Sequence, residues 1–219
     1  MASMNALIVL SVLLLLIFAI SGTAAVTNAS VDVVCATSSL SSCQVIPSKW
    51  GVRTATGQLA SAWFSDSYNE TGWGHLEIAG FQAPHIHSAA IDSLQAYAAG
   101  LAEGYLTGVQ ISQHSTNTFA SYWGMGLPPQ PFVDYIESNL AYMHKQADAL
   151  GHSDAFWRHV GLILAQMQGI LDGSNLKLAE SSMKQLTFFD IMISNIGEVC
   201  CWRCVECRDR VPRDLVPSP

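Results

Sequence analysis

The sequence carries little charge. Charged residues make up 12% of it, with 10 Lys and Arg against 17 Asp and Glu and a formal net charge of -7. No basic cluster is available to neutralise phosphates, which excludes nucleic acid as an expected partner. The mild acidity bears on solubility and identifies no substrate. A Gly-x-Ser-x-Gly elbow is missing, and with it any support for a serine esterase. No internal repeat and no second core can be read, and nothing in the residues requires a cofactor. Long hydrophobic runs are also scarce. The single one, Ala6 to Ile20, follows a start without Lys or Arg and precedes Ser21-Gly22-Thr23-Ala24-Ala25. At about 15 residues it is too short to cross a ~30 Å hydrocarbon core, and small residues follow it, as signal peptidase requires. Residues 1–25 are therefore expected to be a cleaved signal peptide and not a transmembrane anchor, placing the protein on the secretory route, extracellular or lysosomal.

What is present is a chain of 219 residues, half of them hydrophobic, enough for one cored domain. Two Asn-x-Ser/Thr sequons, Asn28-Ala29-Ser30 and Asn69-Glu70-Thr71, are expected glycosylation sites, Asn69 in a turn. Residues 26–48 are rich in Ser, Thr, Val and Ala and read as a surface arm. A Cys35–Cys43 disulfide is expected to staple it in an oxidising lumen. Runs at Gln58–Ser65 and Trp73–Ala79 alternate loosely, with a longer loop between them, and predict a β-hairpin.

From about Ser88 the period changes to that of a helix. Ile91, Leu94, Ala98, Leu101, Tyr105 and Val109 form one face, and Gly100, Gly104 and Gly108 would let a neighbouring backbone come close. Gly124 to Pro131 breaks this pattern. A second helix starts with Pro131 at its first position and closes at Gly151. A third, capped by Ser153, ends before Gly173. Thr187 with Asp190 resembles a capping box opening a short fourth helix that ends at Gly197.

Three clusters invite chemistry. Cys200, Cys201, Cys204 and Cys207 match zinc in number, but they are crowded into eight positions and a secretory route favours disulfides. They read as a tail without an evolved role, with a metal site as the alternative. His85-x-His87 has no evident third ligand and reads as polar surface. Asp92 and Glu103 stand three helical turns apart, about 16 Å at 1.5 Å per residue, too far for an acid/base pair on one substrate. Hydrogen bonding or helix-end charge is the expected role of both.

Residues 71–78 read Thr-Gly-Trp-Gly-His-Leu-Glu-Ile, 91–107 read Ile-Asp-Ser-Leu-Gln-Ala-Tyr-Ala-Ala-Gly-Leu-Ala-Glu-Gly-Tyr-Leu-Thr, and Asn117-Thr118 follows. This order and spacing resembles the phospholipase B-like family, and Gln166–Gly173 and Leu186–Gly197 resemble its next stretches. The resemblance covers roughly residues 50–198. It implies an α+β fold, the N-terminal portion of an N-terminal-nucleophile (αββα) hydrolase, with a precursor that cuts itself to expose a Cys nucleophile. The family's cut falls beyond the matched stretch, in a Gly/Ser-rich segment running into Cys-Ser-Ala. The resulting expectation is a phospholipase B-like region over 49–198, a non-family Cys-rich tail over 199–219, and truncation before the nucleophile, so no catalytic, cofactor-binding or metal residue is assigned.

By resemblance the activity is release of acyl groups from phospholipid. The alternatives are an amidase of the same fold, an inactive precursor segment that only binds a missing C-terminal catalytic part, and a small secreted cysteine-tailed binding module. A lone hairpin would leave apolar surface wet, so Trp63, Leu76 or Ile78 is expected to be unusually exposed.

Overall fold

The computed structural model describes residues 27–37, 39–50, 57–81, 89–124 and 128–196. The signal segment, His85, His87, Gly197 and the cysteines Cys200, Cys201, Cys204 and Cys207 lie outside them.

Four strands form one antiparallel sheet: β1 (Thr27–Cys35), β2 (Cys43–Pro47), β3 (Gln58–Ser67) and β4 (Trp73–Gly80), in the order β2-β1-β3-β4. The segment expected to be a surface arm is thus half of the sheet. In β1, Val31, Val33 and Cys35 take every second position and are buried, Val33 fully, although Asp32 between them is fully buried as well. Polar neighbours hide this two-residue period in the composition. β1 pairs with β2 in a register that sets Val33 opposite Val45 and Cys35 opposite Cys43, and the two sulfurs are bonded at 2.04 Å.

Because β1 gives β3 a second neighbour, the hairpin is not a lone ribbon. Trp63, Leu76 and Ile78 are half-buried, against the expectation of unusual exposure, and Ile78 packs on the core.

Contacts divide the chain into two units. The described part of the smaller one is Thr27–Asn28 with Ser65–His75. It turns through a single helical turn, α1 (Tyr68–Thr71), ended by Gly72 at φ +80°, a conformation that glycine adopts without steric cost. The Thr71 hydroxyl donates to the carbonyls of Ser67 and Trp73.

The larger unit carries the remaining helices: α2 (Ala89–Trp123), α3 (Gln130–Leu150), α4 (Ala155–Glu180) and α5 (Phe188–Ile196). Leu94, Tyr97, Ala98, Leu101 and Ala102 of α2 join Val31, Val33, Leu59, Ala60 and Ala62 of the strands in one buried cluster. The second cluster is formed by Phe132 and Ile136 of α3 with Met192 and Ile193 of α5, and Phe119 and Trp123 pack against it.

Helices α2 and α4 run parallel and almost touch through glycine. A Cβ on Gly100 would stand 2.0 Å from the carbonyl oxygen of Gln166, and one on Gly104 2.1 Å from that of Ile170. Gly169 and Gly173 of α4 meet the carbonyls of Tyr97 and Leu101 at 2.1 and 2.2 Å in the same sense. The helix-breaking residues are therefore the contact surface. This explains why α4 runs through Gly173 instead of ending before it.

Two further boundaries differ by a residue. The α4 cap is Asp154, whose carboxylate accepts from Phe156 N at 2.8 Å, while the Ser153 hydroxyl donates back to Leu150 O. Pro131 is the second residue of α3, not the first. The capping box is present: Thr187 N donates to Asp190 Oδ2 at 2.6 Å and Asp190 N to Thr187 Oγ1 at 3.3 Å.

Candidate functional site

The larger unit contains a cleft of about 430 Å³ where its four helices converge. Glu103 enters from α2, Met143 from α3, Val160, Ile163, Gln166 and Met167 from α4, and Met192 and Asn195 from α5. The apolar stripes of α3 and α4 supply most of this wall, and Met143 and Met167 also flank the second core cluster. Glu103 sits four residues before the Thr107 hydroxyl, which donates to its backbone carbonyl and leaves the carboxylate for the cleft.

Among the described lining residues Glu103 is the one ionisable side chain. Burial pushes its carboxyl above the ordinary range, opposed in part by Gln166 Nε2, which donates to Oε2 at a long 3.5 Å. The site therefore combines flexible thioethers, branched aliphatic carbon, one carboxylate and two amides.

Asp92 and Glu103 are not brought together. Asp92 pairs with Arg158 at the start of α4, while Glu103 faces the cleft. Both side chains of the Asp92–Arg158 pair keep contact with water, so the pair adds little stability.

A second cleft, about 410 Å³, includes His144, Asp148, His152, Trp157 and Arg158. A third, about 320 Å³, holds Ser112, Ser115, Lys184 and Asp190. Ser115 donates to Asp190 at 3.5 Å, a tie between α2 and α5. Among the described residues no group of three or more His, Cys, Asp or Glu could hold a metal ion. No described helix is long and apolar enough to cross a membrane. The expected glycosylation residues Asn28 and Asn69 are both exposed.

The phospholipase B family profile matches residues 60–199, from β3 through every helix that lines the first cleft. The chain belongs to the phospholipase B family. It is 35% identical over 138 residues to phospholipase B-like protein B of Dictyostelium discoideum, covering 63% of this chain and 23% of that protein. With phospholipase B-like 1 of Rattus norvegicus it shares 31% over 161 residues, 73% of this chain and 26% of the rat protein. With phospholipase B of Crotalus adamanteus it shares 30% over 141 residues, 64% and 25% of the two chains. The chain thus spans about a quarter of the length of these relatives. Gly100, Gly104, Gly169 and Gly173, which form the α2–α4 contact, all fall within the matched stretch.

The cleft itself was not legible in sequence. Its methionines read as ordinary helical core stripes, and Glu103 acquires its setting only when residues about 40 to 90 positions downstream close over it.

Proposed function

We propose that this chain provides the sheet and helix layer of a phospholipase B-like acyl hydrolase of the N-terminal-nucleophile class. It would serve acyl release from phospholipid on the secretory route, with the nucleophile supplied from outside the described residues. The observation that carries the reading is the family match over residues 60–199, which coincides with β3 through α5. The mixed α/β architecture agrees with it, and the glycine-backed helix pair gives the layer the rigidity that a catalytic scaffold needs. As a nucleophile, an N-terminal Cys could use its own α-amine as base. Alone, the chain is expected to show no turnover.

The test is a chimera of the Crotalus adamanteus phospholipase B in which residues 60–199 of this chain replace the matching stretch. Fatty-acid release from phosphatidylcholine micelles is the readout. Retained release supports the scaffold role, and a folded, soluble chimera without release overturns it. Release of fatty acid by the purified chain on its own would refute the need for an outside nucleophile. Cleavage of an N-acylethanolamine by the chimera, without phospholipid cleavage, would shift the reading to an amidase.

A further inference from the structure

The Glu103 cleft is a half-buried carboxylate surrounded by carbon and sulfur. Beside it stand only neutral donors: Gln166 at 3.5 Å and, elsewhere on the wall, Asn195. A carboxylate withdrawn from water gains most when a cation reaches it, because a counter-charge offsets the lost hydration. The remaining wall is built for a different chemistry. Met143, Met167 and Met192 present polarizable thioethers on flexible stems, and Val160, Leu164 and Ile170 present branched aliphatic surface. At about 430 Å³ the cleft falls in the range of small-ligand pockets. Ile163, 57% exposed, stands on its rim.

We infer that this cleft binds a single-chain amphiphile with a cationic ammonium head, the head at Glu103 and the chain along the methionine-lined wall. Charge complementarity selects the head: among the described residues lining the cleft there is no Lys, Arg or His to repel it or to compete for Glu103. The aliphatic and thioether lining selects the tail, since burying apolar chain there is worth about 25 cal/mol per Å². An anionic amphiphile would meet Glu103 head-on. A neutral one would leave the carboxylate uncompensated.

Binding in the cleft involves no covalent step and is tested independently of the acyl chemistry proposed above. Its test uses the full chain and octyltrimethylammonium below its micellar concentration, by calorimetric titration at neutral pH. Octyl glucoside and octyl sulfate serve as neutral and anionic probes of the same chain length. The expected result is saturable 1:1 binding of the cation, at least tenfold tighter than that of either control. Glu103→Gln should weaken the cation at least tenfold and leave octyl glucoside unchanged. Ile163→Lys places an ammonium at an exposed rim position where misfolding is not a concern, and it should weaken the cation to a similar degree. If Glu103→Gln fails to fold, the rim variant decides. Equal affinity for all three probes, no saturable binding, or full cation affinity in Ile163→Lys would overturn the inference.

Discussion

The Tyr97 hydroxyl donates to Asp172 Oδ2 at 2.8 Å, and eight residues later the Tyr105 hydroxyl donates to Glu180 Oε1 at 2.7 Å. Both bonds join residues 75 positions apart, so they fix the axial register of the parallel α2 and α4 helices, while the glycines between them fix the distance. Asp172 is held from its other side by Gln168 Nε2 at 2.9 Å.

Tyr97→Phe removes one bond and leaves Asp172 with Gln168, so a loss of about 1 kcal/mol is expected by urea denaturation. The variant also carries a pH signature. Burial first, then the Asp172 hydrogen bond and charge, hold the Tyr97 phenol well above its ordinary value. A folded-state pKa above the unfolded one gives stability that is complete below about pH 10 and is lost as pH rises beyond it. Parent stability should therefore fall above pH 10 more steeply than that of Tyr97→Phe.

Two Gly→Ala substitutions in the same helical layer should have opposite effects. A Cβ at Gly104 meets backbone that cannot swing aside, so Gly104→Ala should cost about 1–3 kcal/mol or more as the helices separate. At Gly161 the nearest atom is the Ala147 Cβ at 3.5 Å, an ordinary contact, and Ala gains helix propensity of up to about 1 kcal/mol. Thermal unfolding should place Gly161→Ala at or above the parent. A Gly104→Ala variant as stable as the parent would contradict the close helix approach.

Glu103 offers a stability test that is independent of any ligand. Its carboxyl is raised by burial, so the native state holds its proton to higher pH than the unfolded chain does, and stability drops as pH rises through that interval. Glu103→Gln lacks this drop. The variant should come closest to the parent near pH 4, at the low end of the ordinary carboxylate range, and exceed it at neutral pH, measured by denaturant titration at both values. From α3, α4 and α5 no other described titratable side chain faces the cleft. Greater loss of stability at pH 7 than at pH 4 would mean that the carboxylate is satisfied by a partner.

On the secretory route, secreted protein should lack residues 1–25 and carry glycan on Asn69, with Asn28 the weaker acceptor. Asn69 is exposed in a turn, whereas Asn28 belongs to a strand. Intact mass before and after glycosidase checks both points. Retention of Met1 would refute the signal expectation.

The helices were readable wherever one face carried a regular stripe. Ile91 through Val109 marked α2, Gly124 marked its end at φ +64°, and Thr187 with Asp190 marked the start of α5. Failures arose where one residue type serves two purposes. Gly173 reads as a terminator, but in α4 it is a place for the Leu101 carbonyl. Val31, Val33 and Cys35 carry a strand signal that Asn, Ser and Thr neighbours dilute, and β1 becomes evident only once β2 and β3 flank it. The Glu103 cleft depends on four helices meeting, a property of no local window.

The parallel course of α2 and α4 also bears on how fast the chain can fold. Their contacts all join residues roughly 65–75 positions apart, so a long loop must close before any of them forms. Neither helix gains early help from its own sequence, because Gly100, Gly104 and Gly108 on one side and Gly169 and Gly173 on the other lower local helix propensity. Helix formation and docking are therefore expected to occur together in one late, cooperative step. If that docking step is the rate-limiting one, substitutions along the glycine seam slow refolding more than they speed unfolding, and chevron kinetics of Gly104→Ala would show it.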